Sequence, residues 1–259
     1  MKPHLILSLI FLLTASVSFG QDKKPEMMRG AKLGEIKPPS MTMVVGANET
    51  VASIAEPGWP LIVSAALLTE KGATAKLPAN FKVKMTDDKD KEVAVAFEPV
   101  PRPAKSDDGE TFYWLAPETA TKGLTPGRYH ITLIPDKGEL KDLRVESGDL
   151  VVVEAKPDRS NSLGLLKIQR ALLLDKEDEA LTETDGLIKS DAKNADAWIA
   201  KGDILMMKDK PDDALEAYDR ALELHKPTDS EPLFILERRR AAFFRSLEKR
   251  GVIPPAKPK

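Results

Sequence analysis

Seven residues of this chain return almost unchanged thirty-four positions later. Asp175-Lys176-Glu177-Asp178-Glu179-Ala180-Leu181 recurs as Asp209-Lys210-Pro211-Asp212-Asp213-Ala214-Leu215, five of seven positions being identical at an offset of 34. The same offset pairs Leu165 with Ile199, Lys167 with Lys201, Leu172 with Met206, Leu187 with Ala221 and Ile188 with Leu222. Around these pairs apolar residues recur every three or four positions, the period of an amphipathic helix. A repeating unit of this length is one supersecondary element that buries its apolar face by stacking on its neighbour. After Pro157 the chain is therefore expected to form stacked helix pairs.

The second copy resembles the tetratricopeptide repeat, a pair of antiparallel helices: Trp198, Gly202, Leu205, Ala214, Tyr218 and Ala221 stand on that family's signature positions. The first copy departs from it, with Gly164 in place of Trp198 and Thr184 in place of Tyr218. A third copy is incomplete, leaving one amphipathic helix with Leu233, Leu236, Ala241, Phe244 and Leu247 on one side, capped near Gly251. Helices are expected at about 161–174, 177–190, 195–208, 212–225 and 230–249. The resemblance implies a concave face, lined by the first helix of each pair, that binds a peptide or a partner helix. Its lining here would be Ser162, Leu165, Gln169 and Leu172, then Asp196, Ile199, Asp203 and Met206. Chaperone-binding members clamp a terminal carboxylate with Lys and Asn. Ile199 and Asp203 stand in two of those places, so the expected ligand is a hydrophobic helix or extended segment, lost on Ile199→Glu with Met206→Glu.

From about 41 to 155 the period is two. Phe81-Val83-Met85, Val93-Val95-Phe97 and Tyr129-Ile131-Leu133 alternate with other residues, and further strands are expected at 42–46, 51–55, 60–69, 111–116 and 148–154. Seven or eight short strands separated by Pro-, Gly- and Asp-rich breaks argue for an antiparallel sandwich. Leu124-Thr125-Pro126-Gly127-Arg128-Tyr129 resembles the L-x-P-G-x-Y corner of immunoglobulin-like and fibronectin-type bacterial domains. That resemblance implies a Tyr129 hydroxyl bonded back to the corner and Trp114 as the large core side chain. The expected fold class is α+β in two domains: an N-terminal antiparallel immunoglobulin-like β-sandwich over 41–156, and a C-terminal α-helical tetratricopeptide array of about five helices over 157–250. A basic Pro/Lys tail, 251–259, follows.

The first twenty residues run from Met1-Lys2-Pro3-His4 through an apolar stretch, Leu5 to Ala15, to Ser16-Val17-Ser18-Phe19-Gly20. That order reads as a secretory signal peptide cleaved after Gly20, which makes the protein periplasmic or extracellular. The apolar stretch is shorter than the ~20 residues a membrane span needs. Residues 21–40 are polar, with three Pro, and read as a flexible leader. Without residues 1–20, 38 basic and 41 acidic side chains remain, a net charge of −3. Such a balance excludes general nucleic-acid binding, which needs a large basic excess.

Candidate chemistry is sparse. With no cysteine, thiolate catalysis and structural zinc sites are excluded. Beyond the leader only His130 and His225 remain, in different domains. Asp87-Asp88-Lys89-Asp90-Lys91-Glu92 offers oxygen ligands but lacks the glycine and spacing of an EF-hand, and reads as a polar turn. No catalytic residue, cofactor or metal ligand is expected. From Glu237 onward eight basic residues stand against two acidic ones, a solvated helix face or a contact for anionic envelope groups. The expected function is non-enzymatic: a scaffold of the cell envelope that binds a protein partner on its repeats, with homo-oligomerisation left open. The alternative is a polysaccharide-binding accessory protein that stacks sugars on Trp59, Tyr113 and Trp114 if these face outward.

Overall fold

The computed structural model describes residues 41–69, 81–101, 104–106, 109–135, 143–224 and 233–254. The expected signal peptide and leader lie outside these residues, as do His225 and the last five residues of the tail. The chain divides into two compact units, one ending at Val153 and the other running from Glu154 onward, with the short segment Gly58–Pro60 grouped with the second.

The first unit contains β1 (Met41–Ala47), β2 (Ile54–Ala55), β3 (Leu61–Thr69), β4 (Phe81–Asp87), β5 (Glu98–Pro99), β6 (Ala104–Ser106), β7 (Gly109–Ala116), a four-residue helix α1 (Glu118–Thr121), β8 (Gly127–Pro135), β9 (Leu143–Glu146) and β10 (Gly148–Val152). One sheet has the order β5-β7-β3-β1-β9, with β6 also on β7; the other has the order β2-β10-β8-β4. Alternate residues of both turn inward. Met43, Val45, Leu61, Val63, Met85, Trp114, Ile131 and Leu150 share one core. The Tyr129 hydroxyl donates to the Thr125 carbonyl at 2.7 Å, so the corner bond forms as expected.

The expected antiparallel immunoglobulin-like sandwich is corrected by the strand directions. Each sheet is mixed: β1 pairs with β9 in parallel, and so does β2 with β10. The two parallel pairs belong to one ribbon. The segment β1–β2 leaves the first sheet and enters the second beside β9–β10, which makes the same crossing. Met41 faces Leu143, 102 positions on, whereas Ile54 faces Val151, 97 on. The five-residue difference is taken up between Asn48 and Ser53, which hold a 3-10 turn and three left-handed residues, Asn48, Ala52 and Ser53. Asn48, 1% exposed, fastens this loop: its Oδ1 accepts the Ile62 N–H at 2.9 Å and its Nδ2 donates to the Ile54 carbonyl at 3.1 Å.

Two further strand expectations fail for local reasons. Residues 93–97 form no strand. Val93 bonds the Met85 carbonyl and the side chains of Val93, Val95 and Phe97 lie against the core, so their alternation reflects burial without a partner strand. The strand expected over 51–55 shrinks to Ile54–Ala55, because the crossing loop occupies the positions before it.

The second unit is helical: α2 (Ser160–Leu173), α3 (Glu177–Ser190), α4 (Ala195–Met207), α5 (Pro211–Leu224) and α6 (Leu233–Lys249). These are the five expected helices, the last described from Leu233 onward. The recurring heptapeptide is the turn between the helices of a pair. Asp175 and Asp209 are both left-handed, with φ 57° and 55°. The next N–H reaches back to the same place in each copy, Lys176 to Ala171 and Lys210 to Leu205. This is a C-cap of Schellman type in which Asp tolerates the left-handed position. Ala180 and Ala214 then enter the core fully buried. Asn194 caps α4, accepting the Ala197 N–H at 3.0 Å.

Candidate protein-binding site

The residues expected to line the binding face fall on α2 and α4 but are unequally open. Leu165 and Leu172 are half-buried, packed on the core of Ile168, Ala171, Ala180, Leu187, Ala197 and Ile204. Met206 is half-buried, Asp196 is exposed and Ser162 is half-exposed. Gln169 is buried. Ile199 is 6% exposed and belongs to a core that includes Tyr218 of α5 and Ile235 and Ala242 of α6. A carboxylate at 199 would enter that core, so the binding face is tested at Leu165 and Met206.

Asp203 is engaged within the array. Its Oδ1 accepts the Tyr218 hydroxyl at 2.7 Å and lies 3.5 Å from Nε of Arg238 on α6, with only 16% of its side chain exposed. Burial disfavours the carboxylate more than Arg238 and the tyrosine donor favour it, and its pKa is pushed from 3.8 up to about 6. Burial, reinforced by the adjacent Asp203, pushes the Tyr218 phenol well above its ordinary range.

The basic helix α6 spends most of its charge inside the unit. Besides Arg238, Arg239 holds Asp219, Arg245 and Lys249 hold Asp209, and Arg250 reaches Asp212 at 2.7 Å. Five of the basic residues expected to meet an anionic partner are thus neutralised by α4, α5 and the turn between them. Lys257 and Lys259 lie outside the described residues. Spacing at 34 could not reveal this clasp, because α6 follows α4 in a different register.

The other candidates resolve as structure. Trp59, Tyr113 and Trp114 are all buried, so they present no stacking surface. Tyr113 is pushed up to about 12 by burial and the nearby Glu49 carboxylate. His130 sits across from Asp149 on β10 at 2.7 Å, on the open side of its strand. Asp87 takes the N–H groups of Lys89 and Lys91, both at 2.9 Å, which closes the polar turn and lowers its pKa. Among the described residues no group of His, Asp and Glu is placed to hold a metal, and no helix is long and apolar enough to cross a membrane. No protein-family model matches the chain, and no curated protein does.

Proposed function

We propose that this is a non-enzymatic scaffold protein of the cell envelope that binds a protein partner on the face shared by α2 and α4. The helix pairs are of tetratricopeptide type in this reading, and the pattern of residues 1–20 supports an exported, periplasmic or extracellular location. The observation that carries the binding role is the set of half-open apolar side chains on the first helix of each pair, Leu165 and Leu172 on α2 and Met206 on α4, with Asp196 exposed at the start of α4. Apolar side chains at this spacing on neighbouring helices suit a hydrophobic helix or an extended segment. The β unit serves as a spacer or docking module.

The test is crosslinking in the native host followed by mass spectrometry, with the full chain and a Leu165→Glu/Met206→Glu variant. One discrete protein partner, lost in the variant while its helical signal persists, supports this reading. The same partner recovered equally by both chains rejects the face. Envelope polysaccharide recovered equally by both would move the function to the β unit, although the three aromatics that would stack on sugars are buried.

A further inference from the structure

Helix α6 sits on α5 as α4 sits on α3. Lys201 of α4 bonds Asp185 of α3 at 2.8 Å, and Arg239 of α6 holds Asp219 of α5. Asp219 is 34 positions after Asp185, and Arg239 is 38 after Lys201. The other pair repeats with the same offsets: Lys208 holds Asp178, and Ser246 holds Asp212. Ala197 and Ile204, the fully buried stripe of α4, return as Ile235 and Ala242, again fully buried and again 38 positions later. In position, then, α6 is the first helix of a third hairpin, set four residues out of the 34-residue register.

A first helix in this array has a second face, which receives its own partner. On α4 that face consists of Trp198, Gly202 and Leu205. Gly202 lies against the ring of Tyr218, and Trp198 and Leu205 join the same core as α5. On α6 the corresponding places hold Leu236, Arg240 and Phe243, with Phe244 in the place of Met206. They are open: Leu236 is 38%, Phe243 46% and Phe244 44% exposed. Large apolar side chains clustered on one exposed helix face mark an interaction surface rather than a solvated end. Arg240 supplies its electrostatic sign. Its guanidinium lies 5.6 Å from the centre of the Phe244 ring and has no carboxylate partner among the described residues, unlike Arg238, Arg239, Arg245 and Arg250.

We propose that this face docks an acidic amphipathic helix of another protein, which completes the third hairpin in trans. Its apolar residues, spaced three and four apart, cover Leu236, Phe243 and Phe244, and a carboxylate meets Arg240. A second copy of α6 fits less well, since an antiparallel pair centred on this face brings Arg240 against Arg240. The surface is built on Leu236, Arg240 and Phe243, the counterparts of the side of α4 that receives α5, and does not depend on Leu165, Leu172 and Met206; Phe244 alone stands at the place on α6 that Met206 holds on α4.

The probe is α5, the second helix of the second hairpin, as a labelled synthetic peptide of residues 211–224, which is acidic and amphipathic. It is titrated into the full-length protein by fluorescence anisotropy. Saturable binding is expected, weakened at least tenfold by Phe243→Asp and about fivefold by Arg240→Glu. A peptide with Glu216 and Asp219 replaced by Lys should lose affinity for the wild-type chain and regain it on Arg240→Glu. All altered side chains of α6 are exposed, and unchanged circular dichroism and urea midpoint verify that the variants fold. Absence of saturable binding overturns the proposal, as does affinity unchanged in Phe243→Asp. A wild-type dimer in sedimentation velocity that Phe243→Asp dissolves also overturns it, by giving the face to a second copy.

Discussion

Four positions of the helical unit trade volume between the two copies. In the second copy Gly202 makes room for Tyr218, whereas in the first copy the same places hold Ile168 and Thr184. Elsewhere the exchange is reversed: Gly164 makes room for Leu187 where the second copy has Trp198 and Ala221. A close-packed interior accepts such swaps when total volume is kept. The two glycines should therefore respond differently to a methyl group. Gly202→Ala drives a Cβ into a rigid ring anchored to Asp203, costing about 1–3 kcal/mol, against a helix-propensity gain of at most ~1 kcal/mol. Gly164→Ala meets the branched end of Leu187, an aliphatic side chain with no polar anchor that can rotate aside, and its net cost should be smaller, within about 1 kcal/mol of zero. Urea denaturation followed by circular dichroism separates the two, and equal losses would contradict the trade. In the β unit, Asn48→Ala strips the Ile62 N–H and the Ile54 carbonyl of their partner in a buried site. It should cost about 3 kcal/mol, read as a shift of the urea midpoint at unchanged slope.

Among the described elements α6 carries the largest share of charge pairing, and apart from Arg238–Asp203 its pairs are open to water. Arg239→Asp alone should destabilise the helical unit modestly, and adding Asp219→Arg should restore it. The coupling energy in that double-mutant cycle is expected at about 0.5 kcal/mol, falling as salt is raised. Asp203 acts in the opposite sense because it is buried. Its folded pKa, about 6, lies above the ordinary 3.8, so the native state holds this proton more tightly than the unfolded chain. Stability contributed by the protonated form is full at low pH and lost as pH rises through the window from about 4 to about 6. Asp203→Asn should flatten that fall in urea denaturation across the window. A slope unchanged in the variant would assign it elsewhere. These helices were legible in the sequence because hairpin stacking repeats the same contacts at a fixed offset. What hid the clasp around Asp203 was the shift from 34 to 38 residues between α4 and α6. The strands were less legible. Alternation marks which residues turn inward, as at β8, but says nothing about the neighbour. Thus Val93-Val95-Phe97 alternates without a ladder, and Leu143–Glu146 pairs where no strand was expected.

Across the whole molecule the two units differ in how far apart their contacting residues lie in the chain. Helix pairs close on neighbours within one repeat, whereas the β unit is complete only when β9 reaches β1, 102 positions away. Folding slows as contacts become less local. In a chain keeping Trp114 as its only tryptophan, through Trp59→Phe and Trp198→Phe, stopped-flow refolding should show helical circular dichroism recovering before Trp114 fluorescence. A single shared phase would contradict separate closure. The parallel ribbon also governs how the β unit bears load. Its first and last segments lie side by side and point the same way, so tension applied between Met41 and Val152 slides one along the other. Hydrogen bonds running between such strands are strained together, whereas a hairpin pulled from its open end gives way one bond at a time. A tether built this way would hold its length under a pull that unzips an antiparallel edge.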